Sequence, residues 1–329
     1  MFDVISIGSA VYDGFMETDL KEIKDKTTAF GKSLRLPLGE KISGRNVSFE
    51  IGGNAVNAAI TFSRQGYRTG IFARIGRDIQ GEEIRRRLAE EKIKLDFMEF
   101  DSRIQTSFSA IFLSKGERTI INFPGSGNNL SLAGLLKAKP KTKWFYVSLP
   151  GDSYKALPNI VSLAKKQSAK IAFNPTMRHI RESKQTILKL LPKMDFLVLN
   201  ETEASILTGI DFENPIKSFR KLDKAMPGIL AVTYGQKGAA VSDGRFVYRT
   251  GIFQNRKTVD RTGAGDAFGS GFVSGLMRGD IKLAIRLGLA NAASVVEAIG
   301  ANKNSLTRND FEKSNRWSKV SIKTEKINP

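Results

Sequence analysis

Val259-Asp260-Arg261-Thr262-Gly263-Ala264-Gly265-Asp266-Ala267-Phe268 is the stretch from which the fold can be read outward. Polar residues and two glycines run into an apolar set, Ala267, Phe268, Gly271, Phe272, Gly275 and Leu276, whose spacing marks one face of a helix beginning near Gly263. The first N–H groups of such a helix have no intrahelical acceptor and carry the positive end of its dipole. Gly263 and Gly265 let an anion approach that backbone with no Cβ in the way. Asp266, in the first turn, then has two readings. One is a carboxylate that stabilises the dipole by about 0.3–1 kcal/mol. The other is a general base that takes a proton from an alcohol while the amides hold a transferring phosphoryl group. Residue types alone leave both open, and the Gly-Lys-Ser/Thr ending of a P-loop is missing.

Working outward, short apolar runs at 4–7, 69–73, 143–149, 170–174, 196–200 and 229–233 alternate with amphipathic patterns at 54–65, 81–92, 154–167, 183–191 and 215–226. Strands separated by helices of this size predict right-handed crossovers and a mostly parallel sheet covered on both faces. Ligands in such folds gather beyond the carboxyl ends of the strands. Two stretches, 30–51 and 95–123, break the rhythm with β-like pieces, the second with a turn at Lys115-Gly116-Glu117. They predict a small antiparallel sheet that projects from the body and covers a cleft. A hairpin around Asp243-Gly244 is expected at the edge of the main sheet, and the last dozen residues are expected to fray.

The chain has 329 residues, no cysteine and one histidine. That length supports a large α/β core, and the missing thiols exclude a disulfide scaffold, a cysteine nucleophile and thiolate metal sites. His179 alone argues against His-rich metal centres and Ser-His-Asp hydrolysis, and reads as a loop residue. The 52 Lys+Arg against 33 Asp+Glu give a formal net charge of +19, which favours anionic partners such as nucleotides. The basic residues are scattered in clusters such as Arg85-Arg86-Arg87 and Lys165-Lys166, as on a solvated surface, so nucleic acid is not an expected partner. Apolar runs fall well short of the ~20 residues that span a bilayer, and the N-terminus reads as a strand. No membrane association and a cytoplasmic location are expected.

The run from Asp260 to Asp266 resembles the C-terminal signature of the ribokinase-like (PfkB) family of sugar and nucleoside kinases. Ile51-Gly52-Gly53-Asn54-Ala55-Val56-Asn57-Ala58-Ala59 resembles that family's N-terminal glycine motif. Leu199-Asn200-Glu201-Thr202-Glu203-Ala204 and Thr233-Tyr234-Gly235-Gln236-Lys237-Gly238-Ala239 follow in family order. The resemblance implies a three-layer α/β/α fold with a mostly parallel central sheet and a small β-sheet lid. It implies one kinase domain over 1–329, with the lid drawn from about 14–50 and 95–123. The implied activity is ATP-dependent phosphorylation of a sugar hydroxyl, with ATP and Mg²⁺ as cofactors.

Carried over by motif, Asp266 is the catalytic base, and Gly263, Ala264 and Gly265 form the anion hole. Asp13, Gly52, Gly53 and Asn57 are implied to bind the acceptor. Asn200, Thr233, Gly235, Gly238 and Asn291 are implied to bind the nucleotide, Asn291 on the adenine side, and Glu203 to hold Mg²⁺ through water. Read from the residues alone, Asn200 and Glu203 equally suit a helix-capping pair. Asp260 and Thr262 correspond to a monovalent-cation site, but Arg261 replaces the usual small residue, which leaves K⁺ open. Asn54 stands where ribokinases carry Lys. That departure, with Tyr12, Phe15, Phe108 and Phe112 as rings that could stack on a base, keeps a nucleoside kinase of adenosine, cytidine or inosine type as an alternative. A non-catalytic nucleic-acid-binding protein on a kinase-like scaffold is a second. Exposed lid strands offer edges for a homodimer.

Overall fold

The computed structural model describes residues 1–28, 31–114, 117–254 and 257–327. Its main sheet has nine strands, in the order Ile322–Lys326, Phe246–Thr250, Ala239–Ser242, Ile229–Thr233, Phe196–Asn200, Lys170–Phe173, Thr142–Ser148, Phe2–Gly8 and Thr69–Phe72. The strands from Ile229–Thr233 to Thr69–Phe72 pair in parallel, and the other three extend that edge antiparallel. Alternation along the buried strands sorts the core onto two faces. Ile5, Ile7, Phe145, Val147, Leu197 and Leu199 pack with helices Leu157–Lys166, Met177–Leu190, Glu201–Thr208 and Pro215–Ala225. Val4, Trp144, Tyr146, Phe196 and Val198 face helices Asn54–Arg64, Ala264–Leu276 and Ile281–Val295 on the other side. The result is the three-layer α/β/α arrangement expected from the motifs. Among the described residues, no helix is long and apolar enough to cross a membrane.

A second, four-stranded sheet runs in the order Glu117–Phe123, Ser107–Ser114, Val11–Thr18, Gly44–Gly52. Its composition differs from the expectation. Val11–Thr18, outside the β-like stretches 30–51 and 95–123, is a central strand, parallel to Ser107–Ser114 and antiparallel to Gly44–Gly52. Asp13 and Gly14 are poor strand formers, but each has a partner on both sides, Ser109 and Glu50 for Asp13, Ala110 and Phe49 for Gly14. The start of the 95–123 stretch lies elsewhere, since Glu99–Asp101 pairs with Arg74–Gly76. Within the 30–51 stretch, Lys32–Leu34 pairs with Glu22–Lys24. Lys115 and Gly116 of the expected turn, and Phe30 at the start of the 30–51 stretch, lie outside the described residues. The end expected to fray instead supplies the outermost strand of the main sheet, with Ile322–Lys326 paired along Phe246–Thr250.

His179 is not a loop residue either. It sits in helix Met177–Leu190, 0% exposed, between the rings of Tyr154 and Phe173, and neither ring nitrogen has a hydrogen-bond partner. Burial pushes its pKa down to about 4. The unfolded chain therefore binds a proton at His179 that the folded chain refuses as pH falls from about 6.5 to about 4, so folding loses about 3 kcal/mol across that window. His179→Phe removes this term. Its melting temperature relative to the parent is expected to rise steadily from pH 6.5 to pH 4 and to stay constant above pH 7. A gap that does not vary with pH would show that His179 is protonated in the folded state.

Candidate active site

Asp266 is held where both sheets meet helix Ala264–Leu276. Gly263 precedes that helix with φ 77°, and a Cβ there would lie 2.4 Å from Ala301 O, so the turn requires glycine. The Ala264 N–H reaches Arg261 O only at 3.4 Å. Among the described residues the N–H groups of Gly265 and Asp266 have no backbone acceptor, and a Cβ added at Gly265 would meet nothing within 4 Å. Room for an anion is therefore present at the helix start.

The Asp266 carboxylate is 9% exposed. Asn174 Nδ2 donates to Oδ1 at 3.0 Å and Asn57 Nδ2 donates to Oδ2 at 2.9 Å. Burial pushes its pKa up to about 6, against the pull of these two amides, which favour the charged form. Sequence reading passed over Asn174 as a base-positioning group, although its place at the end of the Lys170–Phe173 strand was the signal.

Three cavities follow one another around the start of this helix. The first, about 600 Å³, lies under the small sheet and is lined by Asp13, Asn57, Ser109, Asn122, Gly263 and Asp266 among others. The second, about 330 Å³, is lined by Asn174, Asn200, Glu203, Arg261, Gly265 and Asp266. The third, about 320 Å³, is largely apolar, with Thr233, Gly235, Gly238, Phe253, Ala292 and Val296 on its wall. Asp266 and Gly263 border the first two, while Thr233, Arg261, Ala264 and Gly265 border the last two. A polar chamber, a carboxylate, an amide-lined passage and an apolar slot thus follow one another in space.

In the first cavity Asp13 is 6% exposed, and burial raises its pKa to about 6 against a hydrogen bond from Ser109, with the Asp260 charge adding to the rise. A Cβ at Gly52 would fall 2.1 Å from Asp13 Oδ2. The space left by Gly52 is therefore filled by the Asp13 carboxylate and not by a ligand, which corrects its expected role as a contact. Gly53 does line the cavity. Asn57 lines it too, with one amide hydrogen directed to Asp266. Ser107, Ser109 and Asn122, which sequence reading missed, come from the small sheet. Arg178, at the cavity mouth, is ion-paired with Asp152 at 2.8 Å.

In the second cavity Asn200 and Glu203 form a reciprocal cap: Glu203 N–H donates to Asn200 Oδ1 at 2.9 Å and Asn200 N–H donates to Glu203 Oε2 at 2.8 Å. Capping does not exclude a further role, because Glu203 Oε1 remains. Burial pushes the Glu203 pKa up to about 7, and the Asp266 charge adds to the rise. This electron-rich wall suits a cation, and one carboxylate oxygen suits Mg²⁺, which keeps its waters and takes phosphate oxygens as ligands. No cluster of three acidic or histidine side chains exists among the described residues to cage a metal directly.

Asn291 departs from its expected place on the adenine side. Asn291 is 0% exposed and does not line the apolar slot. Its Nδ2 donates to Ala267 O and Thr61 Oγ1 and its Oδ1 accepts from Leu306 N–H, so it ties helices together while Leu289, Ala292, Ala293 and Val296 present the face toward the slot. The question left open at Arg261 is met from the small sheet, where Arg118 Nη1 lies 3.6 Å from Asp260 Oδ1. Asp260, 3% exposed, also accepts from Thr262 N–H, Thr262 Oγ1 and Gly300 N–H, and so shapes the turn before the helix.

With this geometry in place, comparison with known proteins is direct. The profile of the pfkB family carbohydrate kinases matches residues 6–308. Ribokinase of Haemophilus influenzae is 29% identical over 83% of this chain and 89% of its own length. Nucleoside kinase of Methanocaldococcus jannaschii is 25% identical over 87% of this chain and 92% of its own. The structure of Arabidopsis thaliana ribokinase with ribose and ATP superposes with a TM-score of 0.76 at 24% identity, covering 96% of this chain and 99% of that one. The chain belongs to the pfkB family of carbohydrate kinases, and it is a phosphotransferase acting on a hydroxyl group.

Proposed function

We propose that this pfkB-family chain works as one kinase domain under a small-sheet lid, phosphorylating a sugar hydroxyl from ATP. The observation that carries the reading is the position of Asp266 on the wall common to the polar chamber and the amide-lined passage. A sugar rather than a nucleoside is favoured by the chamber's lining. Its described residues include Ser, Asn and Asp side chains with Ile111 and Ile120, and no aromatic ring. The rings that kept a nucleoside in play are elsewhere. Tyr12, Phe108 and Phe112 alternate onto the outer face of the small sheet, and Phe15 is buried at 1% exposure. Asp13 can accept two hydroxyls of a vicinal diol.

In this reading Asp266 takes the acceptor's proton as the phosphoryl group transfers in line. The N–H groups of Gly265 and Asp266 face the charge that develops on it. Thr233, Gly235 and Gly238 line the slot, Thr233 where it joins the passage, and its apolar wall receives the base. Glu203 would hold Mg²⁺ through water, and the ion would supply positive charge to offset that of the phosphates. The lid excludes water that would otherwise compete as acceptor.

The lid has a second surface. Val47, Phe49, Ile121 and Phe123 share its outer face and are 57%, 45%, 43% and 54% exposed. A sheet face of this kind is covered by a copy of itself related by a twofold axis, giving a homodimer.

Asp266→Asn keeps size and hydrogen bonding but not basicity, so kcat is expected to fall about a hundredfold to ten-thousandfold. In the parent, kcat/KM should decline as pH drops through about 6, where Asp266 takes up its proton. ADP release measured with ribose, fructose, adenosine, cytidine and inosine should be fastest with a sugar, and a nucleoside preference would overturn the acceptor reading. Because Arg118 already serves Asp260, exchanging K⁺ for tetramethylammonium should leave turnover unchanged. Phe49→Glu with Phe123→Glu should sediment at half the parent's mass, and a monomeric parent would refute the dimer.

A further inference from the structure

Asn57 is held on its far side by a residue outside the four motifs. Asn302 Nδ2 donates to Asn57 Oδ1 at 2.8 Å and to Ile51 O at 2.7 Å, and Asn302 is 7% exposed. A side-chain amide nitrogen carries two hydrogens, so both are used. Ile51 O is a main-chain carbonyl and can only accept, which fixes the end of Asn302 that faces this cluster. Asn57 must then turn its oxygen to Asn302 and its nitrogen to Asp266, where it donates to Oδ2 at 2.9 Å. Turned the other way, Asn57 would set a carbonyl oxygen against a carboxylate, with no hydrogen between them.

The loop that carries Asn302 is itself fixed. Arg64 Nη1 donates to the carbonyl oxygens of Asn302, Lys303 and Ser305 at 3.1, 2.9 and 3.0 Å, and the same guanidinium pairs with Glu91. Leu306 N–H, further along, is held by Asn291 Oδ1 at 2.8 Å. A carbonyl at the end of a lid strand thus dictates, through two amides, how the carboxylate of Asp266 is presented.

We propose that Asn302 is a positioning residue for phosphoryl transfer, acting on Asp266 only through the orientation it imposes on Asn57. It rests on the reading of Asp266 as the base. Asn302 does not touch the nucleotide slot, so its effect belongs on kcat and not on the KM for ATP.

The test measures kcat, the KM for ATP and the melting temperature of Asn302→Asp, Asn302→Ala, Asn57→Ala and the double variant Asn57→Ala/Asn302→Ala, with Asp266→Asn as reference. Asn302→Asp keeps the shape but offers no N–H, so it draws the Asn57 nitrogen away from Asp266, and kcat is expected to fall about thirtyfold with the KM for ATP unchanged. Asn302→Ala frees Asn57 without reversing it, and a loss of about threefold to tenfold is expected. In the Asn57→Ala background Asn302→Ala should cost nothing more. Multiplying losses in the double variant, a native kcat for Asn302→Asp, or a KM for ATP that rises in step would each overturn the proposal. Should Asn302→Asp fail to fold, the alanine cycle decides, and a failure of Asn302→Ala to fold would also overturn it by making the residue structural. A native kcat in Asp266→Asn would instead sink the base reading itself.

Discussion

A carboxylate taken out of water on the first turn of a helix, compensated chiefly by two side-chain amides, is what the rest of this structure serves. Burial raises the Asp266 pKa above the usual carboxylate range. Asn57 and Asn174 return part of the lost hydration, and the group comes to about 6, where it is ionised at neutral pH. The amides come from the Asn54–Arg64 helix and from the end of the Lys170–Phe173 strand, so the first and last motifs of the chain must meet before the acid has a working environment.

The same constraint explains the local electrostatics. Asp13, Glu203 and Asp266 all have raised pKa values, each chiefly through burial, in a chain whose net charge is +19. Arg261 lines the second cavity with Glu203 and Asp266, and Arg178 lines the first with Asp13.

The main sheet was legible because its buried strands read as apolar runs ending in small or polar residues, and 196–200 and 229–233 match the observed strands residue for residue. The small sheet was harder. Its strand at Val11–Thr18 is a strand by virtue of its neighbours, and no local pattern announces it when Asp13 and Gly14 stand in the middle. At the site, motif spacing located Asp266 and the amide turn but could not orient side chains. Asn291 lies on the helix that flanks the slot, yet one position along the Ile281–Val295 helix separates a slot-facing Ala292 from a buried Asn291. Gly52 suited a close approach, and only the fold shows that Asp13 is what approaches. Asn302 and Arg118 carry no motif at all, because their partners lie far away in sequence.

Only Ser9 and Ala10 separate the Phe2–Gly8 strand of the main sheet from the Val11–Thr18 strand of the small one. Ser9 is clasped by the start of the next helix, through Asn54 N–H on its hydroxyl and Ala55 N–H on its carbonyl. Asp13 belongs to the outer plate and Asp266 to the inner, so the tilt of one upon the other sets the span between grip and proton acceptor. The molecule resembles a caliper whose pivot is a dipeptide, with its two jaws tipped by acids.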